Sequence, residues 1–481
     1  MQKLQCEVCG GIELLKTEDG YFQCQYCGCK FTLEHIRSQL AGETVKVKAT
    51  DFDIVGGVLK KYNGEDVEVV VPDNVTVIGA GAFKGLKGIK SVKLPQGLTE
   101  IEDEAFENCC LLSSVNVPDS VRRIGKSSFS GCVLLTSVNI PKDVKSIGES
   151  AFRGCTSLSS ATIPYGVKSI MNYTFSDCVS LKSVSIPYGC ETIGVAAFKN
   201  IGISAVTLPV SIKTINISAF DGCRSLANIN IPEGVELIGA RAFSGTKIDS
   251  LTAPYSLKEI GTAFEDCDRI ITVTAGGNLH AIKGAMGCAK RVALTIRGTD
   301  KIPDNAFRNC YSLESLSFSG DVREIGKYAF EGCRNLQTLV LSNSIEIIGE
   351  GAFTETGITS LNIPAKVKSL EFRIKKWAPA AGFYIENQYA NGAFYGCEKL
   401  NSVNFENPEI KLEEGVFGAC KNLSTVTGLN MRTVNSDVFW GSKFSKALMD
   451  DRTGRGVCPY CGGAYKGIFK KECSVCYKQK K

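Results

Sequence analysis

A repeat solenoid is the fold class this sequence predicts, and three observations lead to it. The phrase "IP, five residues, IG, two residues, AF, two residues, C" returns down the chain at a period of about 23 residues. Its Phe falls at Phe83, Phe106, Phe129, Phe152, Phe175, Phe198, Phe220, Phe243, Phe264, Phe307, Phe330, Phe353, Phe394, Phe417 and Phe439, with Met286 filling the one gap, which makes sixteen units. A repeat this short is one supersecondary unit that cannot bury its apolar face alone, so it must stack on its neighbours.

The N-terminal segment, residues 1–42, carries Cys6-x-x-Cys9 and Cys24-x-x-Cys27. Paired CxxC knuckles suit tetrahedral zinc, because each brings two thiolates to one side of the ion. Glycine follows in "CEVCGG" and "CQYCGC", supplying positive φ for a tight knuckle. The stretch "TLEHIRSQLAG" then predicts a short amphipathic helix, with Thr32 as N-cap and Gly42 just past its end. This segment resembles bacterial zinc ribbons.

Residues 43–70 read as a linker and a β cap. Gly56-Gly57 and Asn63-Gly64 predict a short hairpin that covers the exposed edge of the first coil. Residues 71–444 are the solenoid. In "LTSVNIPKDVKSIGESAFRGC", Val138 and Ile140 alternate with Ser137 and Asn139, the period-2 pattern of a half-buried strand. Pro141 ends that strand because it lacks a backbone donor. Val144 and Ile147 point inward again, Gly148 breaks the chain, and Ser150-Ala151-Phe152 predicts a short helical or 3₁₀ turn that places the ring in the core. Strands of successive coils then pair in parallel, which is a leucine-rich-repeat geometry.

With IPxxVxxIGxxAFxxC laid out over residues 140–155, the solenoid resembles the BspA-type leucine-rich-repeat family. The lead-in over residues 51–72 is similar to the cap such proteins use. The resemblance implies surface or adhesion roles in anaerobic microbes, an inference by analogy of fold alone.

One interval breaks the period. Phe353 and Phe394 are 41 residues apart, and the excess falls in residues 371–391. Insertions in solenoids map to protruding loops, which carry binding function. This one holds Trp377, Phe383, Tyr384 and Tyr389 beside Arg373, Lys375 and Lys376, a composition typical of interface hot spots. The competing expectation is that these rings fold back onto the solenoid flank.

The C-terminal segment, residues 445–481, has a second set of knuckles, Cys458-x-x-Cys461 and Cys473-x-x-Cys476. Two structural zinc ions are therefore expected, one at each end, in closed all-sulfur sites. This segment also holds nine Lys and Arg against three Asp and Glu, compatible with contact to a nucleic-acid backbone. The N-terminal module has four against five and shows no such bias.

Of the 22 cysteines, ten lie three residues after a repeat Phe, as Cys132 follows Phe129. A cysteine at one repeat phase behaves as a small buried hydrophobe. So many thiols favour a reducing compartment. No export signal opens "MQKLQCEVCGG" and no run of 18 apolar residues occurs, so a cytoplasmic address without membrane association is expected.

Only two histidines occur, His35 and His280, and neither neighbours a catalytic motif. "GAGAFKG" at residues 79–85 imitates a phosphate loop, but its glycines are a repeat corner outside a βαβ context. The outward strand positions form a nearly uncharged Ser/Thr/Asn row, suited either to a hydrogen-bonded ladder or to a groove for a ligand. The function expected is a non-enzymatic interaction scaffold for a protein partner. The alternatives are nucleic-acid binding through the C-terminal ribbon and cell-surface adhesion.

Overall fold

A computed structural model describes residues 14–16, 22–24, 30–31, 51–267, 270–286, 291–370, 392–431, 434–455, 457–466 and 472–473. The helix expected after Thr32 and the insertion at residues 371–391 lie outside them. The chain divides into two compact units, Met1–Ile229 and Asn230–Lys481. Both are parallel-strand β-solenoids, about fifteen turns in all.

In the first unit, Leu14–Lys16, Phe22–Cys24 and Lys30–Phe31 form a three-stranded antiparallel meander. The cap hairpin follows, with Phe52–Val55 antiparallel to Val58–Tyr62. Its turn is Gly56 and Gly57, at φ 58° and 80°. Two left-handed residues in a two-residue loop match the twist of the flanking strands, and only glycine adopts them without steric cost. Val58 and Leu59 then pair in parallel with Val77 and Ile78, so the cap is the first rung of the coil. Asn63-Gly64 forms no second turn of the hairpin; the Asn63 N–H closes it by donating to the Asp51 carbonyl at 2.7 Å.

Most coils contribute two strands, where the sequence reading found one. The longer row runs Glu68–Val70, Ser91–Lys93, Ser114–Asn116 and Ser137–Val138, in register. The shorter row runs Val77–Ile78, Glu100–Ile101, Arg123–Ile124 and Ser146–Ile147. The Pro corner lies between them, closed by a bond such as Val144 N–H to Pro141 O at 3.1 Å. Glycine after the second strand serves close approach, since a Cβ on Gly125 would sit 2.5 Å from the Glu102 carbonyl carbon of the preceding coil.

The expected helical turn at Phe is instead a ladder of non-helical turns. Residues two before and two after most of the repeat Phe take left-handed φ, as Glu104 and Asn108 do around Phe106 at 61° and 60°. Left-handed residues on both sides stop any helix from propagating. Side chains as large as Tyr173 tolerate this conformation because the backbone is held from outside: Glu104, Ser127, Ser150 and Tyr173 N–H each donate to a carbonyl of the next coil at 2.7 to 2.9 Å. The Phe N–H does the same, as Phe106 to Ser128 O at 2.7 Å and Phe129 to Ala151 O at 2.8 Å.

Inside the coils the rings form a column. From Phe83 to Phe220 the centroid spacings are 4.9 to 5.8 Å and the rings are stacked. Tyr62 and Phe52 of the hairpin close its end at 5.4 and 5.0 Å, a continuation hidden from the sequence by the change from Phe to Tyr. In the second unit Phe353 and Phe394 stack at 5.2 Å, and Ser360–Ile363 pairs in register with Ser402–Phe405. The 41-residue interval is therefore one coil plus an excess.

Met286 is not a sixteenth Phe equivalent. Leu279–Met286 forms an α-helix between the strands Ile270–Ala275 and Arg291–Arg297, which pair directly. That coil has a helix where the regular coils have a corner, a short strand and a turn.

The recurrent cysteines are reduced and buried, and most of them do more than fill space. The Cys109, Cys132, Cys155 and Cys178 thiols donate to the Phe carbonyl of the preceding coil at 3.0 to 3.2 Å. The same carbonyl accepts the N–H of its own turn, as Cys109 N to Phe106 O at 3.2 Å, so both lone pairs are used. Burial pushes the Cys109 and Cys223 thiols up to about 12, which keeps them protonated donors.

Truncating Phe152 to Ala should cost about 3 to 5 kcal/mol in chemical denaturation, because the ring packs on both sides in a coil that cannot collapse. A loss under about 1 kcal/mol would show that the column does not carry the core.

Candidate functional site

The end of the second unit converges on a thiol cluster. Ser442 caps the Lys443–Gly454 helix, its hydroxyl accepting from Ser445 N at 2.9 Å. Phe444 on the first turn meets Phe439 edge-on at 5.1 Å and terminates the ring column. Beyond the helix, the Cys458 N–H donates to Gly463 O at 2.9 Å and the Gly462 N–H to Cys458 O at 2.8 Å. Gly462 sits at φ 71°, which closes this knuckle. The Tyr465–Lys466 and Glu472–Cys473 strands pair antiparallel and return the chain to it.

The Sγ atoms of Cys458, Cys461 and Cys473 all lie within 4.8 Å of one another, with Cys461 and Cys473 3.3 Å apart. The Gly463 N–H points at Cys461 Sγ at 3.4 Å, as amides do toward a metal-bound thiolate. No disulfide joins these three. Three convergent soft donors fit a thiophilic divalent ion. The fourth expected ligand, Cys476, lies outside the described residues, as do Cys6, Cys9 and Cys27; Cys24 ends the Phe22–Cys24 strand.

Sequence reasoning passed over Arg452. It is only 1 % exposed, and its guanidinium reaches four carbonyls. Nη1 donates to Tyr460 O at 2.8 Å and Pro459 O at 3.4 Å, and Nη2 to Val434 O at 2.7 Å and Met431 O at 2.9 Å. Burial pulls its pKa down, and the Cys461 and Cys458 sulfurs oppose that shift. The signal in the sequence was a lone basic residue in the last turn of a helix, ordinarily a dipole partner facing water.

The outward strand row differs between the two units. In the first, Asn116, Asn139, Thr162, Ser185 and Thr207 are exposed, and their side chains make no hydrogen bonds to one another among the described residues. Beside them, one residue past the corner prolines, Tyr165, Tyr188 and Val210 occupy a single repeat phase at 67 %, 78 % and 65 % exposure. An opening of about 370 Å³ next to Tyr165 is lined by Asp119, Asn139, Lys142 and Thr162. In the second unit the row is partly self-satisfied: Thr427 donates to Asn404, Asn404 to Asn362 and Asn362 to Glu406 at 2.6 to 2.7 Å. The signal for the tyrosine ridge in the sequence is Tyr165 and Tyr188 directly after Pro164 and Pro187, one repeat apart.

Arg373, Lys375, Lys376, Trp377, Phe383, Tyr384 and Tyr389 all fall outside the described residues. His280 is exposed on the Leu279–Met286 helix. No helix among the described residues is long and apolar enough to cross a membrane.

Comparison with known proteins places the repeats. The family model described as BspA type leucine rich repeat region (6 copies) matches residues 62–178, 147–271, 287–374 and 387–453. The chain is similar to the crystal structure of a leucine-rich repeat protein from Bacteroides ovatus, at 27 % identity over 66 % of this chain and 93 % of that one, with a TM-score of 0.47. A leucine rich cell surface protein from Faecalibacterium prausnitzii is 24 % identical over 78 % of this chain and 92 % of its own, at 0.37. The T. pallidum leucine rich repeat protein is 26 % identical over 41 % and 88 %, at 0.32. Comparison with curated proteins returned no match. The family match spans well over half of the sequence and coincides with the stacked Phe turns, so the chain belongs to the BspA-type leucine-rich-repeat family.

Proposed function

We propose that this chain is a non-enzymatic scaffold that binds a protein partner through the strand face of its first unit. Its fold is consistent with either protein interaction or surface adhesion. One observation carries the narrower reading: the exposed polar row from Asn116 to Thr207 runs beside the tyrosine ridge of Tyr165 and Tyr188. Unengaged amides and hydroxyls beside upright aromatic rings are what a peptide-binding surface needs, since rings supply contact area and the polar row supplies adaptable hydrogen bonds. The insertion at residues 371–391, with Trp377 and Tyr384, is a second anchor in the same reading.

The reading includes two structural zinc ions. Cys458, Cys461, Cys473 and Cys476 hold one, supported by the convergence of the first three. Cys6, Cys9, Cys24 and Cys27 hold the other on the strength of the same spacing. The buried reduced thiols of the solenoid support a cytoplasmic address. The module bounds follow: ribbon 1–42, linker and cap 43–70, solenoid 71–444, basic ribbon 445–481.

Metal analysis of the full chain expressed with zinc should give two ions, and Cys458→Ser should remove one of them. Fewer than one ion per chain, or no loss in the variant, contradicts the zinc assignment. For the face, replacing Tyr165 and Tyr188 by Ala should weaken a partner recovered from host lysate by about 2 kcal/mol per ring. Stability should stay within about 0.5 kcal/mol, since both rings are exposed. Undiminished capture by this double variant, with capture lost on deleting residues 371–391, would move the site to the insertion.

A further inference from the structure

Arg452 presents an electrostatic problem that its own surroundings do not solve. Its guanidinium is buried, and among the described residues no carboxylate pairs with it. Its acceptors are four neutral carbonyls. Buried charges in proteins are paired or bound to metals, because neutral acceptors satisfy the hydrogen bonds but leave the charge uncompensated. Two of those carbonyls belong to Pro459 and Tyr460, the residues between Cys458 and Cys461. The other two belong to Met431 and Val434, in the approach to the last Phe turn.

The geometry points to Arg452 as the positioning residue of the C-terminal metal centre, a cation that complements its thiolates and couples metal occupancy to closure of the last coil. This inference rests on the zinc reading above. A divalent ion held by three or four thiolates is net negative, so the filled centre supplies the counter-charge the guanidinium lacks. Partners of this kind orient ligands and tune affinity without touching the metal.

The planar fork explains the choice of arginine. One nitrogen grips the knuckle and the other grips the coil, a span that a lysine point charge does not reproduce. Tyr460 O is shared: it accepts from Arg452 Nη1 at 2.8 Å and from the Ser436 N–H at 2.7 Å. Ser436 opens the 3₁₀ turn Ser436–Phe439, which carries the last ring of the stacked column, and the Ser445 hydroxyl donates to Ser436 O at 3.1 Å. A disturbance of the knuckle therefore reaches the coil by one shared carbonyl. The device makes the metal a clasp on the open end of the repeat array, where unpaired coil edges otherwise face solvent.

The test uses the full chain with Cys6 and Cys9 replaced by Ser, so that the N-terminal thiols do not compete for the probe. Zinc affinity is read by competition with a chelating dye, and hydrogen exchange is followed in peptides covering residues 431–439. Arg452→Met should still bind one zinc but about 10- to 100-fold more weakly, in the range seen when a ligand-orienting partner is lost. Arg452→Lys, which keeps the charge, should recover most of that affinity while exchange stays raised because the fork is gone. Stripping zinc from the parent should raise exchange over residues 431–439 and leave the peptides around Phe106 and Phe129 unchanged. Unchanged affinity in Arg452→Met, or unchanged exchange on zinc removal, overturns the inference while the zinc site stands. Absence of zinc from the parent chain overturns both. If Arg452→Met does not fold, the Lys variant decides: parent-like exchange over residues 431–439 with parent-like affinity rules out the coupling.

Discussion

The structure depends on a hydrogen-bond exchange between neighbouring coils at the Phe turn. There, alternate backbone N–H groups leave their own coil and donate to carbonyls of the next, as Glu104, Phe106 and Asn108 donate to Lys126, Ser128 and Ser130 at 2.7 Å. This ladder does what a β-sheet does, but on a stretch whose residues alternate into left-handed conformations. It sets the coil spacing, and the spacing brings the rings to stacking distance. The Phe carbonyl left over is shared between its own turn and a thiol of the following coil. Each element is weak alone, and repetition makes them cooperative, so a coil is stable chiefly through its neighbours.

Much of this was legible in the sequence. The Phe phase, the Pro corners, the Gly56-Gly57 turn and the excess between Phe353 and Phe394 all follow from period and turn chemistry. Some of what was not legible has its partner a whole coil away. Ser150 and Tyr173 look like helix starts or plain polar positions until the inter-coil carbonyls that hold them left-handed are seen. The Ser146–Ile147 strand has only two residues, too few for a period-2 pattern. Met286 kept the phase of a Phe while its coil had changed to a helix. Arg452 showed no charge partner because its partners are carbonyls as far as 21 residues away.

The candidate sites lie where the repeat is interrupted or its outward positions are unsatisfied. Along the regular interior many polar groups have a coil-to-coil role, and Cys109, which looks chemically versatile in the sequence, is a buried donor whose thiol burial pushes up to about 12. In the second unit the outward amides of Asn362 and Asn404 bond to each other. In the first unit the corresponding row is open and carries tyrosines at its margin. The C-terminal thiol cluster lies past the last coil, where Cys458, Cys461 and Cys473 converge.

The claim that stability is built coil by coil through the Phe turn has a direct measurement. Excising residues 130–152 joins Phe129 to Arg153 and preserves both the Phe-x-x-Cys spacing and the inter-coil ladder, whereas excising residues 130–140 breaks the phase. Denaturant unfolding followed by circular dichroism should show the whole-coil deletion folding cooperatively with a midpoint near that of the parent, and the part-coil deletion losing its transition. Equal damage from the two deletions would contradict the account.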